Sequence, residues 1–99
     1  MQTKSPYVYI VTNKRYGTLY AGVTSNLAKR LYEHKNGLTT GFSKEHNLHC
    51  LVYYEAHHMM EFAIKREKQL KNWQRAWKIE LIEEGNPHWF DLSENVFKM

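Results

Sequence analysis

Two short runs, Tyr7-Val-Tyr-Ile-Val11 and Thr18-Leu-Tyr-Ala-Gly-Val-Thr24, most limit what this chain can fold into. Both are rich in β-branched and aromatic residues, which suit a pleated, half-buried surface. The segment between them, Asn13-Lys-Arg-Tyr-Gly17, supplies turn chemistry. So short a connection implies an antiparallel hairpin. Side chains alternate along a strand, so Tyr7 and Tyr9 share one face, as do Tyr20 and Gly22. If the hairpin pairs in register, Tyr9 and Tyr20 approach each other, either as ordinary rim aromatics or as part of a site.

The pattern then changes period. Ser25 or Asn26 can cap a helix with Leu27 and Leu31 on its apolar side, ending near Asn36-Gly37. Residues 37–49 read as a polar loop, longer than most connections in a small domain. Cys50-Leu-Val-Tyr-Tyr-Glu55 reads as a third strand. A helix follows from Met59 to about Asn72, with Phe62, Ala63, Leu70 and Trp73 inward. The periodicity continues through Trp77, Leu81 and Ile82, but one unbroken helix would be long for this domain. A break near Asn72–Gln74 is expected, and Gly85-Asn86-Pro87 ends the last helix. The aromatics of Trp89-Phe-Asp-Leu92 are expected to fold the tail back onto the core. The prediction is an α/β chain of α+β type: a small three-stranded antiparallel sheet flanked by helices, in the order β-β-α-β-α-α. Its domain spans residues 5–84, and a tail, 85–99, packs on it.

The chain has 99 residues, 42% hydrophobic and 24% charged, which suits one folded domain rather than a disordered segment. No apolar run approaches the ~20 residues that span a membrane. Residues 1–6 lack the apolar core of a signal peptide. The single cysteine, Cys50, allows no internal disulfide. These features suggest a cytoplasmic protein. The net charge of +4 is unevenly spread. Residues 1–78 hold 13 Lys/Arg and 5 Asp/Glu, whereas residues 79–99 hold one lysine and 5 acids. A basic body suits a polyanionic partner.

Three groups of residues can carry chemistry. Tyr9 and Tyr20 stand on the hairpin. Arg30 and His34, four apart, share one face of the first helix beside the Leu27/Leu31 stripe. Glu67 follows the spacing of Ala63 and Leu70, which puts a carboxylate in or beside an apolar stripe. A buried carboxylate is costly unless paired or bound to a metal. A salt bridge to Arg30 or Lys71 would answer that, and so would a hard cation such as Mg²⁺. Lys68, Lys71, Arg75 and Lys78 form a basic stripe, either a solvated helix face or a track for a nucleic-acid backbone. His46, His49, His57 and His58 with Cys50 lack zinc-site spacing.

Taken together, the ordered set resembles the GIY-YIG nucleases. Tyr7-Val8-Tyr9 and Tyr20-Ala21-Gly22 correspond to the paired triplets, followed by Arg30, a third strand, and Glu67 within Ala63-Ile-Lys-Arg-Glu67. The match is closest to small stand-alone bacterial GIY-YIG proteins, and the fold resembles the N-terminal nuclease domain of the excinuclease C subunit. The first triplet lacks the Gly and Ile, and the second has Ala in place of Ile. Position 34 is His where some relatives have Tyr. An Asn common in the family beyond the Glu is absent, with Ile79 in that region and Asn86 as a possible substitute.

The resemblance implies a metal-dependent endonuclease acting on DNA, with structure-specific work in repair or recombination open to it, and with Tyr9, Tyr20, Arg30, His34 and Glu67 as its site. Glu67 would hold Mg²⁺ or Mn²⁺, either tyrosine would activate water, and Arg30 would bind phosphate. With no room for a sequence-reading domain, specificity would come from substrate shape or a protein partner. The alternatives are a nucleic-acid-binding module without catalysis and a protein-interaction adaptor using Trp73, Trp77 and Trp89.

Overall fold

A computed structural model describes residues 5–39 and 41–99; the side chains of residues 42 and 43 are outside that description. Residues 1–4, part of the segment read for a signal peptide, and residue 40, within the expected loop, lie outside the described residues.

The elements are β1 (Tyr7–Thr12), β2 (Leu19–Thr24), α1 (Leu27–Lys35), α2 (Phe42–Glu45), β3 (Cys50–Ala56), α3 (Met60–Asn72), α4 (Arg75–Gly85) and α5 (Ser93–Phe97). The strands form one antiparallel sheet in the order β2-β1-β3. The expected three-stranded sheet and flanking helices are present. The short helices α2 and α5 are additions: four and five residues carry too little periodicity to read in advance.

β1 is central and buried on both faces, and its alternation separates two cores. Tyr7, Tyr9 and Val11 pack with Leu27 and Leu31 of α1 and Val96 of α5. Val8 and Ile10 pack with Ala63 and Leu70 of α3 and Ile82 of α4. Helices therefore cover both faces, α1 on one and α3 on the other.

Local chemistry fixes the ends of these elements. Asn26 is the N-cap of α1, and its side chain accepts from the Lys29 amide at 3.2 Å. Gly37 follows α1 with φ +66°, and the amides of Gly37 and Leu38 return to the carbonyls of His34 and Glu33. Trp73 and Gln74 are extended, with ψ of 151° and 149°, which breaks α3 from α4 where the break was expected. Arg66 on α3 donates to Glu55 on β3 at 3.0 Å, and His57 and Tyr53 bond the same carboxylate. That cluster pins the turn of α3 that carries Glu67.

Two side chains differ from the helical reading. Phe62 and Trp77 are each about half exposed, at 50%. The inner stripe of α3 runs through Ala63 and Leu70, and Phe62 sits one position off it. In the tail, Trp89 is buried while Phe90 is exposed. The tail also closes the outer edge of β3: the Leu92 amide donates to the Leu51 carbonyl, and the Leu51 amide to Asp91. Edge strands left open invite unwanted pairing.

Candidate active site

Tyr9 faces α1 and pairs across the hairpin with Gly22, so Tyr20, opposite Val11, is its diagonal neighbour on the same face. A Cβ on residue 22 would stand 2.5 Å from Cζ and from the hydroxyl of Tyr9. Gly22 is thus the space into which the Tyr9 ring fits.

The Tyr9 hydroxyl meets two residues of α1. It lies 3.1 Å from His34 Nε2, and Arg30 Nη1 donates to it at 3.4 Å. The four-residue spacing of Arg30 and His34 makes this possible, since both side chains leave α1 toward the sheet. Burial pushes the His34 pKa down to about 4, and the Arg30 cation adds to the fall. The ring also hydrogen-bonds the Leu48 backbone in a way that favours the imidazolium, as donation to a carbonyl does. With that nitrogen donating, Nε2 of the neutral ring accepts from the Tyr9 hydroxyl. Burial pushes the Tyr9 pKa up to about 12, against the opposing bond and charge of Arg30. At neutral pH the pair is therefore a protonated phenol and a neutral imidazole.

Tyr20 stands beside this pair, its ring centroid 6.4 Å from that of His34. On its other side the Lys71 ammonium sits 5.2 Å from the ring centroid and 2.7 Å from Glu67 Oε2. Glu67 belongs to the helix on the opposite face, but β2 is an edge strand, and α3 packs against it. The two layers meet at that edge. Arg30, Tyr9, His34 and Tyr20 form one contiguous group, and Lys71 joins Glu67 to it. Of the two salt-bridge partners open to Glu67, the structure selects Lys71; Arg30 pairs instead with Glu33 at 3.2 Å.

Glu67 is only 13% exposed in its side chain, and one ammonium contacts it. Among the described residues no group of three or more His, Cys, Asp or Glu could hold a metal ion. A cation at Glu67 would therefore have one protein carboxylate and take its other ligands from water and phosphate oxygens. That donor set fits Mg²⁺ or Mn²⁺, which keep several waters and accept few carboxylates.

A cleft of about 130 Å³ opens beside Arg30, lined by Thr24, Ser25, Asn26, Lys29, Arg30 and Glu33. Larger grooves, of about 390 and 290 Å³, lie elsewhere. Groove size is a poor guide for a site that would take a polymer lying across an open face.

The basic stripe divides. Lys68 is exposed. Arg75 Nη2 donates to the carbonyls of Tyr16 and Gly17 at 2.7 and 2.6 Å, clamping the hairpin turn to α4. Lys78 is half-buried. Asn86 sits at the far edge of the sheet: its amide donates to the carbonyls of Val52 and Phe90 and accepts from the Phe90 amide. All three bonds anchor the tail. Sequence reasoning missed the double contact of Lys71 and the Glu33 partner of Arg30. The i,i+4 spacing of Glu67 and Lys71 carried the first signal. Nothing in the sequence marked Leu48.

The matching family model is that of the GIY-YIG catalytic domain, over residues 5–80. The chain belongs to the GIY-YIG family, a family of nuclease type whose nucleases are generally metal-dependent. Within it, the chain is similar to small proteins consisting of little else. A UPF0213 protein of Staphylococcus saprophyticus is 38% identical over 79 residues, covering 80% of this chain and 95% of that protein. A UPF0213 protein of Syntrophus aciditrophicus is 39% identical over 80 residues, covering 80% and 91%. No solved structure matches the chain. No helix among the described residues is long and apolar enough to cross a membrane.

Proposed function

We propose that this chain is a metal-dependent endonuclease that hydrolyses phosphodiester bonds in DNA, selecting its substrate by shape or through a protein partner in repair or recombination. The observation that carries this reading is the Tyr9 hydroxyl held between a neutral His34 and the Arg30 cation.

In this reading Tyr9 is the base. As Tyr9 takes a proton from the attacking water, its own proton passes to His34 Nε2, so no free phenolate accumulates. The water oxygen bonds to phosphorus, the bond to the leaving oxygen breaks, and solvent protonates that oxygen. Tyr9 is wholly buried, so water reaches it when Arg30 turns its guanidinium from the hydroxyl to the phosphate. Tyr20 walls the site and keeps Lys71 beside Glu67. Mg²⁺ or Mn²⁺, when held by Glu67, supplies positive charge for the phosphate and the leaving oxygen.

A second reading, a nucleic-acid-binding module without catalysis, draws support from the burial of Tyr9 and from the ammonium already on Glu67. Incubation with supercoiled plasmid and branched DNA, in Mg²⁺, Mn²⁺ or EDTA, separates the two. The nuclease nicks only with metal, and Glu67→Ala abolishes nicking. Salt-sensitive binding without cleavage would establish the module instead.

A further inference from the structure

Lys71 stands in the last turn of α3, and Arg75 and Lys78 stand in the first turn of α4, near enough that the charges of Lys71 and Arg75 both act on Lys78. Two of these cations are engaged by the protein: Lys71 by Glu67, and Arg75 by the hairpin carbonyls. Lys78 is different. It is half-buried, and among the described residues it makes no ion pair or side-chain hydrogen bond. Burial and the charges of Arg75 and Lys71 hold its pKa below the usual lysine value. The carbonyls that bind Arg75 leave its charge uncompensated. An ammonium so placed, partly desolvated and facing like charges, gains most from an anion. Lys71, its neighbour in this group, reaches the Tyr20 ring and Glu67, so an anion at Lys78 would lie on the flank of the candidate active site.

We propose that Lys78 binds a backbone phosphate of nucleic acid beside the one to be cut, while Arg75 builds the site by clamping the hairpin. The placement beside the cut rests on the nuclease reading; binding of the phosphate does not. Arg75 then shapes the local field and Lys78 makes the bond.

The test is binding of a short fluorescent duplex in EDTA, where no cleavage occurs, across a KCl series. It compares wild type, Lys78→Ala, Lys78→Arg and Lys98→Ala. Lys78→Ala is expected to lower the slope of log affinity against log salt by about 1, the signature of one lost phosphate contact. Lys78→Arg should keep the wild-type slope, and Lys98→Ala should leave it unchanged, which separates a contact from a diffuse field. Melting curves confirm that each variant is folded. Equal curves for wild type and Lys78→Ala, or equal losses for Lys78→Ala and Lys98→Ala, would overturn the proposal and leave the nuclease reading standing. Failure of the wild type to bind the duplex would overturn both. Sodium phosphate that displaces the duplex beyond its ionic strength, through Lys78, would show a small-anion site and also overturn it.

Discussion

The Tyr9 hydroxyl lies 3.1 Å from Nε2 of His34, 25 residues away in the chain. This contact joins the central strand to the first helix, and its chemistry depends on a neutral ring. Activity that uses His34 as a proton acceptor therefore persists well below pH 6.5. The acid limb of kcat/KM for DNA cleavage is expected near pH 4. A limb near 6.5 would show that His34 is not held as the structure has it.

The same ring makes stability depend on pH. The unfolded chain protonates His34 near pH 6.5, the folded protein only near 4. Between these values the unfolded form binds more protons, so the contribution of His34 is complete above pH 6.5 and lost as the pH falls to about 4. Its span is at most about 3–4 kcal/mol. Urea unfolding of wild type and His34→Gln at several pH values should show this component in the wild type alone.

Gly22→Ala places a Cβ where the Tyr9 ring lies. The ring must move, and its bonds to His34 and Arg30 are lost. Destabilisation of about 1–3 kcal/mol is expected, with cleavage reduced by ~100-fold or more. Wild-type cleavage by this variant would contradict the placement of Tyr9.

Asn86→Ala removes the side chain that anchors the tail to β3 and leaves buried backbone groups unpaired. The expected cost is about 2–3 kcal/mol in urea unfolding. Cleavage per folded molecule should stay at the wild-type level, because the anchor lies at the edge of the sheet away from β2. A selective loss of cleavage would return Asn86 to the site.

Arg75→Gln frees the hairpin turn from α4. A loss of about 1 kcal/mol is expected, a fall in melting temperature of roughly 5 °C for a domain of this size. Arg75→Lys should not restore it, since an ammonium lacks the planar fork of a guanidinium.

The sequence carried the strands, the long helices and their break in its periodicity and turn residues. Asn26, Gly37 and Trp73–Gln74 end elements where the pattern said they would. The candidate site was legible as an order of residue types, and Arg30 with His34 as one helical face. What escaped was set by tertiary packing. The partner of Arg30 is Glu33, and Lys71 spans Tyr20 and Glu67 only because α3 lies along the β2 edge. The Leu48 bond to His34 comes from the loop region, which has no periodicity to read. Phe62 and Trp77 belonged to an apolar pattern, yet face outward, because a helix face is wider than the stripe it buries.

The central claim is that Tyr9, relayed to His34, is the base opposite a cation held by Glu67. Single-turnover cleavage of a labelled DNA substrate in Mn²⁺, by wild type, Tyr9→Phe, Tyr20→Phe and Glu67→Gln, tests it most directly. The account predicts metal-dependent cleavage by the wild type and no metal-stimulated cleavage by Glu67→Gln. It also predicts a fall of ~100-fold or more for Tyr9→Phe, larger than that for Tyr20→Phe. Wild-type rates from Tyr9→Phe, with Tyr20→Phe inactive, would contradict it.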